Sequence, residues 1–172
     1  NLDQLVLDNL KVEEKIQEEA IKIASDITVQ LKTNQIPSGF ALFKGGWHQG
    51  VSGIVASRVK DVFNRPVIVF ANDKEGVLKG SARSVTGVHI RDVLSYVDST
   101  WPGGIIQFGG HAMAAGLSIR LNDLKEFDNR FNFALAQLYG KSYFDEVLYT
   151  DGELTDEQYR ITFFKKLEEL GP

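Results

Sequence analysis

The 172-residue sequence has no cysteine. That excludes disulfides and thiolate metal sites, and it suits a reducing compartment. No apolar run is long enough to span a bilayer, and the N-terminus lacks the character of a secretory or transit signal. A cytoplasmic protein with no membrane partner is the expectation. Basic charge is also in short supply: 19 Lys and Arg stand against 23 Asp and Glu, for a net charge of −4. This argues against indiscriminate coating of nucleic acid, which depends on neutralising many phosphates. A local anion site remains open, because Lys79, Arg83 and Arg91 crowd one short region while acidic residues dominate 1–20 and 144–169. The chain opens with NLDQ rather than methionine and stops at ELGP, and it reads as an excerpt from a longer protein.

Several catalytic signatures are missing as well. The histidines, His48, His89 and His111, lie in separate segments, and no HxH, HxxxH or DxD cluster occurs. No metal site is expected on this chain alone. There is neither a GxxxxGK[ST] phosphate loop nor a GxSxG nucleophile elbow.

What is present suits a soluble core, with 43% hydrophobic and 10% aromatic residues. Residues 1–32 contain no Gly or Pro, and Ile16, Ala20, Ile23 and Ile27 keep helical spacing, so a long amphipathic helix is predicted there. Pro37 and Gly39 break it. Residues 40–43 predict a short strand. Val51, Ile54, Val55, Val59 and Val62 mark the buried stripe of a helix starting near Gly50, and residues 67–71 predict a strand buried on both faces. Together these form a βαβ unit. GVLKGSARS predicts another strand, followed by a helix marked by Ile90, Val93, Leu94 and Val97. AAGLSIR predicts a further strand. Asp123 is then placed to cap a helix whose apolar face is Leu124, Phe127, Phe131, Leu135 and Leu138. The α/β domain is expected to close near Gly140. Beyond it, Thr155 and Gln158 form a capping box ahead of a last helix, and one strand plus one helix reads as the start of a second, truncated domain.

Three glycine turns, KGGWHQG, LKGSARS and FGGH, are candidates for one ligand crevice, since glycine lets backbone N–H groups approach a ligand closely. The first runs into a helix N-terminus beside His48, which suits an anion, although Gly46 and Gly50 serving the turn and Trp47 packing is an equal reading. In the second, alternation places Lys79, Ser81 and Arg83 on one strand face and Gly80, Ala82 and Ser84 on the other. An Arg fork beside a hydroxyl suits phosphate, and the small residues opposite suggest a ligand or backbone lying close; a solvated edge strand is the alternative. His111 reads as a binding residue or as a buried histidine with a satisfied hydrogen bond.

WHQGVSGIVASRVKDVFNRPVIVFA, LKGSARSVTGVHIRDVL and FGGHAMAAGLSI, in this order and spacing, resemble the DHHA1 domain of RecJ-type single-stranded-DNA exonucleases. The similarity covers roughly residues 36–140. It implies an α/β fold, a DHHA1-type mixed sheet flanked by helices, with residues 1–35 as a connector helix and 141–172 as the start of an OB-fold. It further implies a part in 5′ to 3′ exonucleolytic hydrolysis during DNA recombination and repair. Single-stranded DNA would be the partner, along with a DHH catalytic domain of the same protein, and the Mn²⁺ or Mg²⁺ of that domain would drive the chemistry. No DHH motif occurs here, so the fragment is expected to bind no cofactor and to be inactive alone. By the same resemblance, Gly109, Gly110 and His111 contact the strand near the scissile phosphate, with His111 supporting catalysis from the substrate side. Ser81, Arg83 and Ser84 would hold a phosphate toward the 5′ end, Trp47 and His48 would line the cleft, and Lys79 would add a basic contact. Many relatives have Gly where Ala82 stands, a departure that affects little. A phosphodiesterase for nano-oligonucleotides or cyclic dinucleotides, and a non-catalytic interaction module, are the competing readings.

Overall fold

The computed structural model describes residues 36–144 except His48 and Lys74, together with Glu18, Lys22, Ser25, Asp26 and Val29, which are helical and exposed. The remainder of the expected connector helix, including Ile16, Ala20, Ile23 and Ile27, lies outside the described residues, as does 145–172, where the OB-fold entry is expected. In chain order the elements are β1 (Phe40–Phe43), α1 (Gln49–Phe63), β2 (Val67–Asn72), β3 (Val77–Arg83), α2 (Ile90–Thr100), β4 (Ile105–Gly110), β5 (Ala114–Arg120) and α3 (Leu124–Tyr139). Short 3₁₀ turns at Leu121–Asp123 and Lys141–Phe144 flank α3.

The strands form one mixed sheet in the order β1-β2-β3-β5-β4. β1 and β2 are parallel, as a βαβ crossover requires, and the other pairs are antiparallel. β2 is the central apolar run: Val67 to Ala71 are fully buried, because both sheet faces are covered there. On one face α1 places Val51, Val55, Ala56 and Val59 against Phe40, Val67 and Val69. On the other, α2 and α3 build the larger core, where Phe70, Leu78, Leu117 and Ile119 meet Val93, Leu94, Phe127 and Phe131. Phe70 meets Phe127 edge-on at 5.5 Å between ring centroids.

Several sequence expectations shift. Val62 is 54% and Leu138 44% exposed, because each stripe rotates off the core at the helix's last turn. Asp123 occupies the cap position of α3 without a side-chain capping bond; its carboxylate meets Arg120 at 3.3 Å instead. FGG is strand rather than turn, the end of β4, whose pairing with β5 carries an irregularity between Ile105 and Gln107. Packing also runs past Gly140: Phe144 belongs to the larger core and lies under the Arg65 guanidinium, 5.1 Å from the ring centroid.

The edge strand β1 is tied to α3 by a polar relay. Gly39 N donates to Asn132 Oδ1 at 2.9 Å, and Asn132 Nδ2 donates to Asp128 Oδ1 at 3.2 Å. Burial raises the Asp128 carboxyl above its usual 3.8, against the lowering effect of hydrogen bonds from the Ala41 backbone and the Asn132 side chain. An acid whose folded value is raised keeps its proton longer in the folded state, so its contribution to stability falls as pH rises from the unfolded value through the folded one. Asp128→Asn preserves an acceptor without the charge. Its unfolding midpoint relative to the parent chain should therefore rise between pH 3 and neutral in a circular-dichroism melt series (about pH 3 to 7 brackets the carboxylate range); a constant difference across that range would show that Asp128 is not strained by its charge.

Candidate functional site

Along β3 alternate residues take opposite faces, and the two faces do different work. Leu78, Gly80 and Ala82 point into the larger core and are buried. A Cβ on Gly80 would stand 2.7 Å from Phe70 Cε1 and 2.8 Å from Leu117 Cδ2. The small residues of LKGSARS thus make room for core side chains rather than for a ligand.

Lys79, Ser81 and Arg83 take the face shared with α1. The registers extend this face across the sheet: Lys79 lies opposite Ser118, Ser81 opposite Gly116 and Arg83 opposite Ala114. On β4, Gln107 continues the first row and Gly109 the second. α1 packs over β2 and β3, and among the described residues no helix covers the β5 and β4 part of this face. A Cβ on Gly109 would meet nothing within 4 Å, and one on Gly116 only the Gly80 carbonyl at 3.9 Å. The result is a floor of nearly bare backbone, walled by α1 and bordered by the polar side chains of β3.

Two concavities lie on this face. One, of about 520 Å³, is lined by Gly50, Gly53, Ile54, Ser57, Arg58, Asp61 and Arg83. The other, of about 230 Å³, is lined by Lys79, Gln107, Phe108, Gly109, Gly116, Leu117 and Ser118. Arg83 is seated low in the first. Its Nη1 donates to the Ala82 carbonyl at 2.9 Å, and its Nη2 is 3.1 Å from where a Cβ on Gly53 would stand. A side chain at Gly53 would press on the guanidinium, which would have to give by a few tenths of an ångström to stay against α1. The helix residues of this wall escaped the sequence reading; the signal available was the run of small residues at Gly50, Gly53 and Ser57, at helical spacing.

His111 is exposed in the turn joining β4 to β5, at the Arg83 end of β3. Three backbone bonds hold that turn: His111 N to Ala114 O at 2.8 Å, Ser84 N to Met113 O at 2.9 Å and Ile90 N to Ala112 O at 2.9 Å. Gly110, at φ +146, is where the strand bends into the turn, and a Cβ there would collide with Ala114 and Ala115. The imidazole is therefore presented from a fixed backbone, one condition for acting on a reacting group.

The structure does not gather all the predicted residues. Ser84 is 1% exposed, and its hydroxyl donates to the Val88 carbonyl at 2.7 Å, so that donor is committed within the fold. Trp47 is half-buried against the smaller core and lines neither concavity, which favours its packing role. Arg91 is exposed at the start of α2, on the far side of the sheet from Arg83. His89 caps α2, accepting from Asp92 N at 3.3 Å. His48 lies outside the described residues. Among the described residues no group of three or more His, Asp or Glu comes together to hold a metal ion, and no helix is long and apolar enough to cross a membrane. Chemically, the face offers three cations in Lys79, Arg83 and Arg58, one carboxylate in Asp61 that is paired with Lys60, a hydroxyl, an imidazole and a flat floor, which suits an extended polyanion better than a compact ligand.

Several known proteins are similar to this chain. A family model described as the DHHA1 domain matches residues 34–137. The single-stranded-DNA-specific exonuclease RecJ of Haemophilus influenzae is 44% identical over 171 residues, 99% of this chain and 29% of the relative. The chain thus spans less than a third of that relative's length. Among solved structures, exonuclease RecJ bound to manganese superposes with a TM-score of 0.64 at 24% identity, covering 79% of this chain and 32% of that one. RecJ from Thermus thermophilus in complex with Mg²⁺ gives 0.55 at 25% identity, covering 70% and 18%.

The position of Ser84 yields a test. Ser84→Ala should cost about 1 kcal/mol of stability in urea unfolding, the worth of a buried hydrogen bond, and leave nucleic-acid affinity unchanged. Weakened affinity with unchanged stability would return Ser84 to the cleft.

Proposed function

The chain belongs to the DHHA1 domain family, and from that premise we propose that it is the substrate-binding part of a single-stranded-DNA exonuclease of the RecJ type. The observation that carries the reading is the placement of Lys79, Ser81 and Arg83 along one strand, beside a floor of backbone bare at Gly109 and Gly116. A single strand laid on that floor meets cations at its phosphates and, along the Gly109 and Gly116 row, no side chain to hold it off. Arg83 binds a phosphate through its fork, with Ser81 adding a hydroxyl donor. Gly109 and Gly110 let the strand pass close to β4, and His111 offers a donor from the pinned turn.

Hydrolysis belongs to a DHH domain elsewhere in the full-length protein, acting in DNA recombination and repair. The relatives' structures are described with manganese and with Mg²⁺. By the similarity to those relatives we assign the ion to that other domain; among the described residues no three His, Asp or Glu come together. There it would stabilise charge on the attacking and leaving oxygens. This part of the chain grips and orients the strand, and His111 supports the reacting phosphate from the substrate side.

The test uses the full-length exonuclease. Arg83→Ala should weaken single-stranded DNA binding and reduce the slope of log affinity against log salt by about 0.7 to 1, the loss of one phosphate contact. His111→Ala should lower turnover more than binding, since a contact made near the reacting phosphate acts mainly in the transition state. An unchanged salt slope would remove Arg83 from the phosphate path, and equal losses in turnover and binding would make His111 an ordinary contact.

A further inference from the structure

The smaller concavity runs along the open face from Gly109, and at its end away from the His111 turn its polar residues form one cross-strand row. Lys79 on β3 pairs in register with Ser118 on β5, which pairs with Gln107 on β4. Lys79 and Gln107 are exposed, whereas Ser118 is 4% exposed and sits at the base of the row. Gly109 and Gly116 form the adjoining floor, and no acidic residue lines the space. Such a slot has a flat bottom, hydrogen-bonding groups along one side and a single cation at the rim.

We propose that this slot is a nucleobase seat, in which the Gln107 amide and the Ser118 hydroxyl bind the edge of one base and Lys79 holds that nucleotide's phosphate. The proposal rests on the strand-binding reading above and extends it to Gln107 and Ser118, which that reading does not use. Three features select the ligand. At about 230 Å³ the slot falls below the roughly 300 Å³ at which sites for drug-sized ligands begin, so it takes a single planar ring system rather than a folded dinucleotide. A Gln amide carries both a donor and an acceptor and so matches the paired groups on a base edge, a chemistry wasted on phosphate alone. Lys79 lies four residues from Arg83, about 13 Å along an extended strand. That separation leaves room for Lys79 and Arg83 to hold different phosphates of the same DNA. The slot thereby fixes how many nucleotides must be present before the whole face is engaged.

Gln107 is exposed on an edge strand, so its replacement leaves the core untouched. In the full-length exonuclease, with divalent metal chelated to prevent cutting, affinity is measured for oligodeoxynucleotides of increasing length and for a longer one carrying a single abasic site at each position in turn. The parent enzyme should lose affinity at one internal abasic position. Gln107→Ala should abolish that position dependence and weaken binding of the intact longer strand by roughly fivefold, as loss of a polar contact does, while dinucleotide binding stays unchanged. Position-independent losses in the parent, or a position dependence that survives in Gln107→Ala, would overturn the base seat. Arg83→Ala in the same assay separates the two claims: if it leaves affinity intact, the strand-binding reading itself fails, and if it weakens binding while Gln107→Ala does not, only the base seat fails.

Discussion

Unequal burial of the sheet is the constraint on which the site depends. Two helices cover one face, so Phe70, Leu78, Leu117 and Ile119 find partners there. A single helix covers the other, over β2 and β3, and among the described residues nothing stands above the part of that face on β5 and β4. On β5 this part carries only small side chains: Ala114, Gly116 and Ser118 alternate with the buried Ala115, Leu117 and Ile119, while on β4 Ile106 is exposed at the irregularity beside Gln107. The same alternation that completes the core therefore strips the opposite face to backbone.

This link joins stability to function through β3. Gly80 is bare because Phe70 and Leu117 fill the space beside it, and Ser81, the next residue, looks onto the space above Gly116. Arg83 is held by its own strand at the Ala82 carbonyl and by the absence of a side chain at Gly53. The His111 turn is held at Ser84, Ile90 and Ala114. The groups proposed to bind the strand are thus positioned by backbone bonds and steric fit, which would lower the ordering cost of the proposed binding.

Much of this was legible in the residues. Periodicity located α1, α2 and α3 and four of the five strands, since β2, β3 and β5 carry alternation or continuous apolar runs set by burial. β4 was missed because IIQFGG ends in two glycines, which read locally as a turn; only pairing with β5 makes them strand. Arg83 and Ser81 were legible as one face of an alternating strand. Ser84 belonged by the same alternation to the other face, yet its buried bond to Val88 depends on how the chain turns after β3 and has no local signal. Gly80 was visible as a small residue, but whether its smallness served a ligand or Phe70 could be decided only by knowing what packs beneath it. Gln107 and the α1 wall were invisible for a related reason: they join the site through cross-strand register and helix placement, which are properties of the tertiary structure.

The central claim is that the bare floor between α1 and the β4–β5 edge is where single-stranded DNA lies. Affinity of the full-length exonuclease carrying Gly116→Leu for single-stranded DNA, measured with metal chelated and alongside its unfolding midpoint, tests this most directly. Because a Cβ at Gly116 meets, among the described residues, only the Gly80 carbonyl at 3.9 Å, the substitution starts without a clash, and the account predicts an unchanged midpoint with affinity reduced at least about tenfold, the 1.4 kcal/mol scale of one obstructed contact. Undiminished affinity in a normally folded Gly116→Leu enzyme would contradict it.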